Sequence, residues 1–168
     1  MRNGIVLICA GVMLCSMAVP AQTRDSLERK FVQMTKFDPA ANAQKDIDDA
    51  VKLAAMSGKR VLLDVGGEWC KWCHRLDSLF LLNEDLSKYM HENYVVVKVN
   101  YSRENENKEV LSKYPKVPGY PHLFILENNG TLLHSQDTGE LENGAKTFPY
   151  HDQAKVFTLL KKWAPSGK

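Results

Sequence analysis

The sequence has almost no surplus of either charge. Its 22 basic and 20 acidic side chains leave a formal +2 over 168 residues. That balance gives no bulk electrostatic case for nucleic acid or an anionic membrane surface. No apolar run reaches the roughly 20 residues that cross a bilayer comfortably. No internal repeat and no low-complexity stretch is visible, which argues against solenoid and linker architectures. Disorder is excluded by a composition that is 44% hydrophobic and 25% charged. The length suits one globular domain. Cysteine is scarce, and the four present are placed wrongly for a disulfide framework: Cys9 and Cys15 fall inside an N-terminal leader.

Residues 1–21 carry the three parts of a secretory signal peptide. Arg2 precedes an apolar run from Ile5 to Val19, and Val19 and Ala21 are spaced like a cleavage signal before Gln22. The alternative is an uncleaved membrane anchor, for which the run is short. Lipidation is discounted, because Ile8 and Leu14 are not the small residues expected before a lipidated cysteine. Cleavage leaves two cysteines, Cys70 and Cys73, in a compartment that permits disulfides. A bridge closing so small a loop removes little unfolded-state entropy, so its value is chemical.

Residues 22–44 read as a polar N-terminal extension, and residues 45–168 as the domain. Ile47, Val51, Ala54 and Ala55 share one face of a helix over Lys45 to Ser57, ended by Gly58. Val61 to Val65 and Tyr94 to Val99 are apolar runs of buried-strand type. Trp69, Trp72, Cys73, Leu76, Leu79 and Phe80 recur at steps of three and four, which puts Cys73 on the buried side of a helix. Asn83 is a candidate cap for a short helix through Tyr89. Ser102 to Tyr114 reads as a charged helix. Asn128-Asn129-Gly130 separates Leu123–Leu126 from Thr131–His134 as a hairpin turn. Asp152 caps a last helix bearing Val156, Leu159, Leu160 and Trp163. The order predicts an α/β fold: a mixed sheet of about four to five strands with helices on both faces.

Two thiols in Cys70-x-x-Cys73 can close into a disulfide and so carry two electrons. Cys70 sits where a helix begins. Free N–H groups and the helix dipole there favour a thiolate by up to about 2 kcal/mol. Cys70 is thus the nucleophile and buried Cys73 the resolving thiol. Lys71 acts in the same direction, weakened by solvent screening.

At these residues the chain resembles the thioredoxin family. Val61 to His74, VLLDVGGEWCKWCH, is similar to that family's strand, active-site loop and helix start. Glu68 and Trp69 stand where the family has an acidic residue and a tryptophan. The resemblance implies that Asp64 is the buried aspartate assisting proton transfer at the second cysteine, and that Lys98 faces it. It implies that Pro121 is the cis-proline beside the disulfide, with Trp69, Tyr120 and Pro121 aligning a substrate. Asn129-Gly130 and Gly139 match the family's hairpin and later glycine. The likeness spans about residues 45–163. More narrowly, the chain is similar to small bacterial secreted thioredoxin-domain proteins with a WCxWCH site and a TGELE segment, here Thr138 to Glu142. Lys71-Trp72 replaces Gly-Pro, and Ser78 replaces a helix-kinking proline. The stretch from Cys70 to Pro121 is lengthened around Ser102 to Lys113. Such departures bear on redox potential and partner choice.

The resemblance implies an exported, periplasmic thiol–disulfide oxidoreductase with a reductase bias. Its partners would be protein disulfide substrates and a membrane electron donor, with no metal or organic cofactor. His74, His122, His134 and His151 show no metal-ligand spacing. The rival reading is a c-type cytochrome. Cys70-Lys71-Trp72-Cys73-His74 spells the haem-attachment signature, with Met90 or His91 as a distal ligand. That class is mainly helical, which the two apolar strand runs oppose.

Overall fold

The computed structural model describes residues 21–32, 34–144 and 150–166. The expected signal peptide, apart from Ala21, lies outside the described residues. The helices are α1 (Ala21–Val32), α2 (Ala43–Ser57), α3 (Lys71–Leu82), α4 (Glu84–Asn93), α5 (Lys108–Leu111) and α6 (Gln153–Lys162). The strands are β1 (Arg60–Gly66), β2 (Tyr94–Asn100), β3 (His122–Leu126) and β4 (Leu132–Asp137). They form one sheet in the order β2-β1-β3-β4. β2 runs parallel to β1, while β3 and β4 are antiparallel to their neighbours. This is the mixed, helix-flanked sheet that the element order predicted. Among the described residues, no helix is long and apolar enough to cross a membrane.

β1 is central, so alternate side chains feed two separate apolar layers. Val61, Leu63 and Val65 join Ile47, Leu53, Val97 and Phe124 beneath α1 and α2. Leu62 joins Leu76, Leu86, Leu123, Ile125 and Leu160 beneath α3, α4 and α6. Residues 21–44 contribute Phe31, with Leu27 and Met34 beside it, to the first layer. α2 starts at Ala43 because the Asn42 side chain accepts from the Lys45 N–H at 3.0 Å. It stops at Gly58, whose φ of 64° lets its N–H return to the Ala54 carbonyl. Asp152 caps α6 through the Lys155 N–H at 3.0 Å.

Three local expectations need correction. The charged helix over Ser102 to Tyr114 is absent except for the single turn of α5. Short polar side chains there satisfy the backbone instead of letting it coil. Asn100 Nδ2 donates to the Asn105 carbonyl at 2.9 Å, and Asn107 Nδ2 donates to the Asn100 carbonyl at 2.7 Å. Asn107 also takes a left-handed φ of 45°, which interrupts a helix and which asparagine tolerates. Asn83 does not cap α4 with its side chain. Its Nδ2 turns back to the Leu79 carbonyl at 2.7 Å and closes α3. α4 itself runs past Tyr89 to Asn93. The hairpin forms at Asn128–Gly130, but β4 extends to Asp137 and carries a register shift opposite Ile125/Leu126.

Candidate active site

β1 ends at Gly66, and the chain turns through Gly67 into α3. Gly66 must lack a side chain: a Cβ there would lie 2.5 Å from Cys73 Sγ and 3.0 Å from the Phe37 ring. At Gly67 a Cβ would lie 2.7 Å from the Tyr101 carbonyl oxygen. This bare turn drops Cys70 onto the N-cap of α3, where its Sγ accepts the Cys73 N–H at 3.1 Å. Cys70 and Cys73 are joined as a disulfide with Cα atoms 5.2 Å apart. Cys73 is fully buried and Cys70 is 4% exposed. Phe37, Trp72 and Tyr120 pack around the pair.

Behind the disulfide, Asp64 and Lys98 sit at paired positions of β1 and β2. Lys98 Nζ donates to Asp64 Oδ2 at 2.7 Å and also binds Asp77 Oδ1. Its ammonium lies 4.5 Å from the centre of the Phe37 ring. Asp64 Oδ1 is buried with no hydrogen-bond partner among the described residues. Burial disfavours the Lys98 charge, but the two carboxylates more than offset it and raise its pKa. Burial raises the pKa of Asp77, with Lys98 opposing and Asp64 adding to the rise. Asp77 did not emerge from the sequence. Its signal was there: it lies one helical turn after Cys73, on the same face.

In front of the disulfide, the Tyr120–Pro121 peptide bond is cis. Thr138 Oγ1 donates to the Pro121 carbonyl at 2.5 Å. Tyr120 stacks on Tyr101 at 4.7 Å and meets Trp69 edge-on at 5.8 Å. Burial, reinforced by Tyr101, raises the Tyr120 phenol pKa. Trp69 is 60% exposed, yet its Nε1 is tied to the Tyr101 carbonyl at 2.7 Å. The fold thus gathers Asp64, Trp69, Cys70, Cys73, Lys98, Tyr120 and Pro121 into one region. Tyr101 and Phe37 join them without having been singled out. Neither belongs to a motif, and Phe37 comes from the segment read as an extension.

His74 is engaged elsewhere, with Nε2 2.8 Å from the Glu68 carbonyl. Cys70 and Cys73 are bonded to each other and the domain holds a four-stranded sheet. Both run against the haem-attachment reading. Among the described residues, no three His, Cys, Asp or Glu side chains converge as metal ligands would.

A cysteine pair at a helix start, backed by a buried ion pair, defines a thioredoxin-type fold built around a dithiol–disulfide couple. The chain belongs to the thioredoxin-like family, whose model matches residues 42–128. It is 26% identical over 138 residues to the disulfide bond reductase DsbH of Chlamydia pneumoniae, a match covering 74% of this chain and 81% of that one. It is 29% identical over 92 residues to the thiol:disulfide interchange protein DsbD of Actinobacillus pleuropneumoniae. That match covers 54% of this chain but spans 16% of the relative. A solved disulphide isomerase from Xylella fastidiosa shares the fold, with a TM-score of 0.62 and 24% identity over 75% of this chain and 94% of that one.

His151 is a second group that the sequence did not distinguish. It is 1% exposed, packs edge-on to Trp72 at 5.2 Å, and has no partner for either ring nitrogen among the described residues. Arg75 covers the same Trp72 ring at 4.5 Å. Burial lowers the His151 pKa to about 4; Asp64 opposes the shift and Arg75 adds to it. The unfolded chain therefore takes up a proton near pH 6.5, before the folded one does. Stability is complete above that value and is lost as pH falls toward about 4, by roughly 3 kcal/mol. Denaturant titrations across this window should show the loss. His151→Phe, which keeps a ring against Trp72, should flatten it. A wild-type curve that is already flat there would contradict a buried neutral imidazole.

Proposed function

We propose that the chain is an exported thiol–disulfide oxidoreductase that acts on protein disulfides through Cys70 and Cys73, with a bias toward reduction. The observation that carries this reading is the Cys70–Cys73 disulfide at the start of α3, with Cys70 Sγ receiving a backbone N–H. The same N–H stabilises a thiolate once the bond is reduced. The names of DsbH and DsbD point to the same chemistry. The apolar leader supports export to the periplasm.

In the reducing direction, the Cys70 thiolate attacks one sulfur of a substrate disulfide. A mixed disulfide forms and one substrate thiolate leaves. Cys73 loses its proton and attacks Cys70 Sγ, which releases the second substrate thiolate. The substrate gains two electrons, and the protein is left as the Cys70–Cys73 disulfide. Asp64, whose Oδ1 has no hydrogen-bond partner among the described residues, takes the Cys73 proton, with Lys98 holding the carboxylate in place. Trp69, Tyr120 and Pro121 align the substrate backbone. A membrane electron donor returns the protein to the dithiol.

Local charge supports the proposed reductase bias. A strong oxidant needs a greatly stabilised thiolate. Here His74 is engaged with the Glu68 carbonyl and Lys71 is exposed. The Asp64–Lys98–Asp77 group has one cation for two carboxylates.

Cys73→Ser should accumulate covalent complexes with natural substrates in the periplasm, and Cys70→Ser should not, because only Cys73 can resolve the first mixed disulfide. Non-reducing gels decide this; equal trapping by both variants sinks the assigned roles. Equilibration of the purified protein with glutathione should give a potential of about −200 to −270 mV. A value above roughly −150 mV reverses the direction. Asp64→Asn should slow exchange about 10-fold or more, as expected for loss of a general base, with the fold intact by circular dichroism. An unchanged pH–rate profile reduces Asp64 to a structural role.

A further inference from the structure

The loop that fails to form the expected helix builds a recess beside the catalytic pair. With residues 115–117 it encloses about 230 Å³ next to the cis Tyr120–Pro121 bond. Tyr101, Leu111, Pro115, Val117 and Tyr120 form its apolar walls. The wall continues toward the sulfurs, because Tyr120 meets Trp69 and Trp69 immediately precedes Cys70. Trp69 and Tyr120 thus form a continuous aromatic surface between Cys70 and this recess, along which a substrate chain held at Cys70 can extend.

The walls are held before any substrate arrives. The Tyr101 N–H donates to the Gly66 carbonyl at 2.5 Å, and Ser102 N–H donates to the Asn105 carbonyl at 3.0 Å. Asn105 Nδ2 ties the loop to the Pro39 carbonyl at 3.0 Å. Ordering costs on binding are correspondingly small. The rim is not neutral. Glu106 and Lys108 pair at 2.8 Å and cancel. Lys116 is exposed and pairs with no acid among the described residues. An apolar floor with one uncompensated positive charge at the rim selects an occupant that is bulky and apolar, with an acid beside it.

We infer that this recess is a specificity pocket for a polypeptide substrate, taking an aromatic or large aliphatic side chain next to the reactive cysteine, with an acidic residue adjoining it that faces Lys116. The inference rests on the thiol–disulfide exchange proposed above. It separates polypeptide disulfides from small ones such as glutathione disulfide, which carries no apolar side chain to fill the recess.

The test uses the reduced protein and four disulfide-bonded peptides that differ only beside the attacked cysteine: Phe or Ala there, each followed by Glu or Lys. Phe peptides should exceed Ala peptides about 10-fold in the second-order rate constant at which they oxidise the reduced protein. Glu should exceed Lys by roughly two- to fivefold, and the gap should shrink with salt. Val117→Trp, which fills the recess, should abolish the Phe preference. Lys116→Glu, at an exposed position that folding does not need, should invert the charge preference. Equal turnover of Phe and Ala peptides by the wild type overturns the pocket, as does a charge preference unaltered in Lys116→Glu. Glutathione disulfide keeps the two readings apart. If it is reduced while the peptides are not discriminated, the pocket alone is lost. If no disulfide is reduced at all, the exchange reading is lost with it.

Discussion

Lys98 carries an ammonium group into the middle of the molecule, and three separate parts of the chain are arranged around that charge. β1 supplies Asp64, α3 supplies Asp77, and the connection before α2 supplies the face of Phe37. An unpaired ammonium at this depth would cost several kcal/mol in lost hydration. Two carboxylates and an aromatic face replace the water. The same arrangement fixes the register of β1 against β2, since Asp64 and Lys98 are directly opposed. It also sets the distance between the sheet and α3, on whose first turn Cys73 rides. Two acids against one cation leave that region net negative, which opposes further negative charge on the sulfurs in front of it.

Packing around the sulfurs is the second constraint, and it works through what is missing. Cys73 Sγ and the Phe37 ring occupy the space where a side chain at residue 66 would stand. Gly66 is thus required by close approach, not by an unusual φ. The result is an asymmetric pair. Cys73 is fully buried against Phe37, while Cys70, next to the exposed Trp69, keeps 4% of its surface. A mechanism with one attacking and one resolving thiol suits that asymmetry, because attack from outside needs access and resolution needs only the neighbouring sulfur.

The loop after β2 links the local chemistry of asparagine to recognition. Asn100, Ser102, Asn105 and Asn107 have side chains of the right length to bond to nearby backbone, and they do so in place of helical bonds. Their network pins Tyr101 under Trp69 and Tyr120. A helix over the same residues would have shown a regular charged surface to solvent. The irregular loop leaves a walled recess there instead.

Much of this was legible from one dimension. The apolar runs of β1 and β2, the three-and-four spacing through Trp72, Cys73 and Leu76, and Asn129-Gly130 are local signals, and local physics decides them. So does the position of Cys70 at a helix start. Matching Asp64, Lys98 and Pro121 to a known pattern brought the rest of the expected site into view. What the sequence did not show depended on contacts between distant segments. Phe37 reaches the site from residues read as an extension, and Asp77 matters only because Lys98 lies across from it. His151 and Tyr101 become notable only through the rings they touch. The helix expected over Ser102 to Tyr114 failed because Asn100 and Asn107 bond to the loop's own backbone while the Asn105 side chain is drawn to the Pro39 carbonyl of a distant segment. Periodicity records which face of an element is buried, but not what meets it there; only the closed fold decides that.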